Sequence, residues 1–467
     1  MHTRGRTALR LAALACAGVA TVATLAALRP NDAASASTTM PAARTPLLSP
    51  RRVPALIDDA ADAAAHRRAD ATLDARLRKA IGSNDVCVAA DVATTPIARI
   101  GAHALAPAST LKVLTAIASI TTLGSDYRFS TRAVPSGGGT LTIVGAGDPV
   151  LATPEYMAAR RGGPLYSNAA YTSLAQLADA IAAAGVRSLP GGLIVDDDAH
   201  DSLRFLPQWK QQYATEGDVG ALGALAVDGG SPNRVVGAVI SDPAIVTGQK
   251  LGALLAARGV SVGPAVRHGV APAGAREIAH VDSPPLRTIV ANMLTVSNDF
   301  TAEELVRDIA AHADPQQAAT TQQGLQVMER ALRSVGIPDA GVTLYDGSGL
   351  ARADRVPCTV LLRAIEVSAL PRYAAVAAGL PVGGRTGTLA HRFADAPFNG
   401  EVHAKTGTLE GVAGLTGQID IGAHARFAVL ANGSFWESQG QNIVDGVARA
   451  IGEYPVVRAP AGLVPDP

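Results

Sequence analysis

Ser109-Thr110-Leu111-Lys112 places a hydroxyl and an amine three residues apart. On a helix, positions i and i+3 share one face, so the two groups point the same way. Pro107 opens that helix and puts Ser109 in its first turn, where free N–H groups and the helix dipole favour developing negative charge. The apolar run Val113, Leu114, Ala116 and Ile117 should bury the lysine, and desolvation favours its neutral form. A neutral amine beside a hydroxyl is a general base, which makes Ser109 a candidate nucleophile and Lys112 its partner. Lysine is scarce here: Lys79, Lys112, Lys210, Lys250 and Lys405 are the only five among 40 basic residues. A chain that otherwise uses Arg keeps Lys where the proton must be able to leave, because a guanidinium cannot give one up.

Two further groups carry chemistry. Lys405-Thr406-Gly407-Thr408 ends a strand-like run. Its ammonium and hydroxyls can hold a carboxylate, and Gly407 leaves room for a ligand backbone alongside the strand. Ser297-Asn298-Asp299 follows an apolar helix marked by Leu286, Ile289, Met293 and Leu294. In order and spacing, the three groups match a serine acyl-transfer enzyme with a lysine base. Arg385-Thr386-Gly387-Thr388 copies the lysine motif and is read as a decoy, and Asp196-Asp197-Asp198 is read as a solvated turn.

The elements that must position these residues follow from periodicity. Helical texture covers Ile57 to Ile81, Ala108 to Ile120, Pro285 to Ala311, Gln316 to Val335, Cys358 to Leu370 and Asn442 to Ile451. Val86–Val92, Val402–Thr406, Gly414–Ile419 and Arg426–Ala431 read as strands, the last three as an antiparallel meander. Between Tyr127 and Pro285 the texture changes to short strands with Gly-rich turns and one helix, Ser173–Ala184. Helices before and after a terminal meander point to an α+β fold.

With 467 residues the chain exceeds one ordinary core. Its 40 acidic side chains balance the basic ones, which argues against nucleic acid or an anionic membrane surface as main partner. Arg4, Arg6 and Arg10, the apolar run Leu11–Leu28 and Ala34-Ser35-Ala36 form a secretory leader, either cleaved or kept as an anchor. Beyond it the chain is expected outside the cytoplasm, secreted to the cell wall or anchored to the outer face of the membrane. Membrane contact is expected only through that possible N-terminal anchor. Cys87 and Cys358 are the cysteines left after the leader, and two readings stand: a disulfide, or two separate buried thiols.

The chain resembles the D-alanyl-D-alanine carboxypeptidase/endopeptidases, the class C low-molecular-mass penicillin-binding proteins (peptidase family S13). The stretches that carry the resemblance are Pro107–Lys112, Val144–Pro149, Ala226–Gly230, Met293–Ser297, Asp346–Leu350 with Arg355-Val356-Pro357, and Ala404–Leu409. The separation of about 185 residues between Lys112 and Ser297 is itself specific. It fits the extra domains this family inserts between its first two motifs. The resemblance implies a β-lactamase/transpeptidase-like domain, an antiparallel sheet with flanking helices, interrupted by inserted mainly β domains. That gives a leader at 1–36, a tether at 37–53, the transpeptidase-like domain at 54–126 and 286–455, the insert at 127–285 and a Pro-rich tail at 456–467.

The roles it implies are acylation of Ser109 by a peptidoglycan stem peptide or a β-lactam, with Lys112 as base. Ser297 relays a proton, and Lys405, Thr406, Gly407 and Thr408 bind the substrate's end. No metal or cofactor is implied. One position departs: the family has Ser-x-Asn, whereas here Asn298 stands in the middle and Asp299 third. An ionised Asp cannot donate a hydrogen bond, and an anion near Lys112 works against a base. Asn298 and Asp299 remain candidate substrate contacts. A weak or inactive peptidoglycan-binding scaffold, or a β-lactamase or esterase on the same frame, are the alternatives.

Overall fold

The computed structural model describes residues 54–166, 169–231, 239–422 and 424–455. The leader, the tether and the Pro-rich tail lie outside them. Among the described residues no helix is long and apolar enough to cross a membrane. The two five-stranded sheets and the three Ser- and Lys-bearing motifs lie in one compact unit that begins at Asp58.

A five-stranded antiparallel sheet forms the centre, in the order Val402–Leu409, Val412–Ile419, Ala425–Asn432, Asp85–Val92, Thr95–Ile100. The meander thus joins a hairpin from the far N-terminal side, through Val86–Ala431 to Val92–Ala425 pairing. Strand residues alternate between two cores, as period-two geometry demands. Val86, Val88, Ala90, Phe427 and Val429 face Leu73, Leu77, Val444 and Val447 of the outer helices Pro54–Ile81 and Glu437–Gly452. Cys87, Ala89, Ala428 and Leu430 face the other layer, built from helices Lys112–Leu123, Leu286–Val296, Asp299–Ala313, Thr321–Ser334 and Cys358–Ser368. Cys87 therefore points at the start of the Cys358 helix, and the two form a disulfide with Cα atoms 5.9 Å apart.

Between the Lys112 helix and the Leu286 helix runs a second five-stranded sheet: Val266–His268, Gly192–Asp196, Thr140–Val144, Ser130–Pro135, Ala279–Asp282. Its first three strands pair parallel and the rest antiparallel. Parallel pairing needs crossover helices, and Leu174–Ala183 and Pro243–Ala256 pack their apolar faces on this sheet. The insert accordingly holds more helix than the one segment expected: Pro154–Arg161, Gln211–Glu216 and Pro243–Ala256 are added. Pro154–Arg161 and Gln211–Glu216 are too short to show a helical period, and Pro243–Ala256 is apolar or small on most of its surface, so contrast between faces is weak. The acidic turn differs too. Asp196 and Asp197 are buried; Asp197 pairs with Arg204 and His268, and Asp196 accepts the Ala271 N–H.

Candidate active site

Three chain segments distant in sequence meet at Ser109. The first begins as a 3₁₀ turn, Ala108–Leu111, and continues as the α-helix Lys112–Leu123. Ala108 takes φ 46°, an uncommon conformation for a residue with a side chain, just before the nucleophile. It is held there by close neighbours. A Cβ on Gly349 would lie 2.0 Å from the Ala108 carbonyl oxygen, and one on Gly407 would lie 2.7 Å from that of Pro107. Gly407 is thus required by the chain's own backbone, which corrects the reading that it clears space for a ligand.

Lys112 is fully buried. Its Nζ donates to Ser109 Oγ at 2.8 Å, to Asp299 Oδ1 at 2.6 Å and to the Ser348 carbonyl at 2.7 Å. Three acceptors satisfy the three donors of an ammonium, which is what allows so polar a group to sit in an apolar layer. Burial pushes the Asp299 carboxyl above the usual range, with Lys112 the main opposing influence.

The second segment breaks what reads as one continuous helical stretch. The helix Leu286–Val296 ends at Ser297, which adopts the left-handed conformation at φ 60°. A side-chain-bearing residue in that region, where glycine is usual, marks a site under constraint. Asn298 then caps the helix Asp299–Ala313, its side-chain oxygen accepting the Thr301 N–H at 2.9 Å. Cap formation commits that oxygen. Asn298 does not exchange places with Asp299, and the anion sits on Lys112 directly.

The third segment is the edge strand Val402–Leu409. Lys405 is fully buried, and its Nζ donates to Ser297 Oγ and to the Thr406 carbonyl, both at 2.8 Å. Burial first, and then the neighbouring Lys112, hold the Lys405 ammonium well below the ordinary lysine range. The ammonium read as a carboxylate clamp is turned inward, leaving the hydroxyls of Thr406 and Thr408 along the strand. Thr406 Oγ1 meets Thr388 Oγ1 at 2.7 Å. The supposed decoy therefore lies against the site.

The sequence offered little warning of a fourth layer. Glu303, fully buried, accepts the N–H groups of Gly347 and Ser348 on one oxygen, at 3.0 and 2.6 Å. That turn presents its Ser348 carbonyl to Lys112 and its Gly347 carbonyl to Thr115 Oγ1, the latter at 2.6 Å. Asp346 ties the same turn to Trp209 Nε1 at 2.8 Å and to the N–H groups of Gly349 and Ala351. Glu303 looks like one more helix-surface acid, and only its place four residues after Asp299 hinted otherwise.

Hydroxyl, buried amine, second Ser–Lys pair and edge strand thus converge on one place in the fold. The profile of the D-Ala-D-Ala carboxypeptidase 3 (S13) family matches residues 69–237 and 223–453. The chain belongs to that family. This S13 enzyme is 32% identical to a carboxypeptidase of Mycobacterium tuberculosis over 359 residues, 74% of each chain. It is 28% identical to a D-alanyl-D-alanine carboxypeptidase of Actinomadura over 450 residues, covering 78% of this chain and 80% of the relative. Its fold is that of penicillin binding protein 4 from Haemophilus influenzae, with a TM-score of 0.66 at 20% identity, covering 80% of this chain and 97% of that one. The S13 enzyme is a serine-type D-Ala-D-Ala carboxypeptidase acting on peptidoglycan.

Proposed function

We propose that Ser109 is the acylated residue. Its Oγ attacks the carbonyl of the penultimate D-Ala of a stem peptide, the Oγ–C bond forms, and the C–N bond to the terminal D-Ala breaks. The hydroxyl proton passes through Lys112 and Ser297 to the leaving amine, and water then hydrolyses the ester. The observation that carries this reading is the 2.8 Å contact between Ser109 Oγ and a lysine with no exposed surface. The Thr406 and Thr408 hydroxyls receive the terminal carboxylate, and the Ser109 and Thr408 N–H groups stabilise the oxyanion. Lys405, directed at Ser297, completes the relay.

A β-lactam enters the same reaction, but ring opening leaves its leaving group tethered in the site, so the acyl-enzyme persists. The substrate places the work outside the cytoplasmic membrane, in keeping with an exported chain whose motif-bearing domain, 54–126 and 286–455, is split by the insert at 127–285.

The test is release of D-Ala from a peptide ending in D-Ala-D-Ala. The full chain should release it, and Ser109→Ala should lose roughly a thousandfold or more of that rate. Release that survives the substitution would rule out Ser109 as nucleophile.

A further inference from the structure

Three turns of the insert converge on one side of the helix Asp299–Ala313. In the first, Gly147 takes φ 75°, and a Cβ there would collide with the Asp308 carboxylate and lie 3.0 Å from His200 Cε1. In the second, residues 199–203 are gripped from two sides: buried Arg307 donates to the Leu203 carbonyl at 2.7 Å, and the Asp201 N–H donates to the Ala319 carbonyl at 3.0 Å. In the third, the Gly223 N–H donates to Glu304 Oε1 at 2.8 Å. His200 sits between the two carboxylates that these turns approach. Its side chain has no exposed surface; Nε2 lies 3.0 Å from Asp308 Oδ1, and Nδ1 lies 3.0 Å from Glu304 Oε2. Both nitrogens thus face acceptors, which suits an imidazolium, a donor at both, and not a neutral ring with one acceptor nitrogen.

The helix that carries these carboxylates serves two surfaces. Asp299 and Glu303, four residues apart, face the site, where they meet Lys112 and the Ser348 N–H. Glu304 and Asp308, also four apart and one step round the helix, face the insert. The helix starts directly after the left-handed Ser297, so the sharp turn there leaves its alignment to whatever grips its sides. We propose that His200 is a positioning residue for acylation: bridging Glu304 and Asp308 as an imidazolium, it locks this helix to the insert and holds Ser297 and Glu303 in register with Lys112. This rests on Ser109 being the acylated residue.

Around the bridge, Asp201 pairs with Arg307 and Asp197 with Arg204. Asp148, buried in the first turn and near Asp308, is raised by burial to about 6. Burial also raises Tyr127, which lies near Asp308, above its usual 10. Within the bridge, burial opposes charge on His200, yet the two carboxylates lift it to about 9, while burial lifts Asp308 to about 8. The lock therefore gives up its protons between about pH 8 and about 9, above the titration of Asp148 and below that of Tyr127.

The experiment follows acylation of the full chain by a fluorescent penicillin from neutral to alkaline pH, well below each protein's thermal midpoint. His200→Gln keeps a hydrogen-bond donor but no charge. Near neutral pH it should acylate roughly tenfold more slowly than wild type, since small misplacements of catalytic groups cost that much. The ratio of the two rates should close toward one as pH climbs through about 8 to about 9, where wild type loses the charge the variant already lacks. The lysines of the site are common to both proteins and cancel in that ratio, and a role in packing alone would leave it the same at every pH. Asp308→Asn keeps the ring but removes one of its carboxylates; it should move the alkaline fall to lower pH, and it serves as the test if His200→Gln does not fold. Equal rates for wild type and His200→Gln near neutrality, a ratio that does not change with pH, or an alkaline fall unmoved in Asp308→Asn would overturn the assignment. Labelling that survives Ser109→Ala would instead break the active-site reading, and the role of His200 with it.

Discussion

Replacing Asp299 by Asn is the most informative change at the site. The two side chains are nearly isosteric, so Oδ1 keeps its 2.6 Å contact with Lys112 Nζ and only the charge is removed. A hydrogen bond to a charged group contributes about 1.5–3 kcal/mol, against about 0.5–1.5 kcal/mol for a neutral pair. The difference, about 1–2 kcal/mol, is the extra hold that the carboxylate has on Lys112 and that must be loosened when Lys112 serves Ser109. Converted to a rate, it is a gain of roughly 5- to 30-fold in acylation at neutral pH. The assay is the second-order rate constant for labelling by a fluorescent penicillin, with the thermal midpoint checking that the fold is unchanged. Acylation that is unchanged or slower in Asp299→Asn would refute this reasoning and make the carboxylate a participant in proton transfer.

Two other predictions concern buried acids. Glu303→Ala leaves the Gly347 and Ser348 N–H groups without an acceptor; at about 1–3 kcal/mol for each buried donor, it should lower stability by about 2–6 kcal/mol and slow acylation. Glu303→Gln keeps an oxygen in place and should stay close to wild type in both, and equal damage by the two variants would show that the turn is not held this way. His200, fully buried, lies between Asp308 and Glu304 of the Asp299 helix, with its ring nitrogens 3.0 Å from each. Burial opposes its charge, but the two carboxylates prevail and raise it from 6.5 to about 9. Burial, by contrast, raises Asp308 to about 8, with His200 opposing it. Both shifts make the folded state bind more protons than the unfolded one; the His200 contribution is full below about pH 6.5 and lost as pH climbs through about 9, and the Asp308 contribution falls earlier, from about pH 3.8 to about 8. The thermal midpoint should therefore drop across that window, and His200→Gln should flatten the drop; a slope identical in the variant would assign it elsewhere.

What could be read from the sequence was whatever is local. Ser109 and Lys112 share a helix face by spacing alone, and Lys405 stands out because lysine is rare. A sheet covered on both faces follows from the near-continuous apolar runs in Val86–Val92 and Arg426–Ala431. The break at Ser297 was hidden, because apolar periodicity runs on across it from Leu286 to Ile309 and a serine in the left-handed region has no sequence signature. Glu303 and Thr388 escaped for a different reason. An acid on a polar helix and a threonine in a turn are ordinary until the Asp346–Leu350 turn docks on one and the edge strand on the other. Both contacts are tertiary, which periodicity cannot report.

Acylation of Ser109 is the central claim, and intact-mass measurement after exposure to penicillin tests it most directly. The expected result is a mass increase of a single penicillin, mapped to the peptide holding Ser109, persisting after free drug is removed and absent in Ser109→Ala. An adduct on any other residue, or labelling that survives Ser109→Ala, would contradict it.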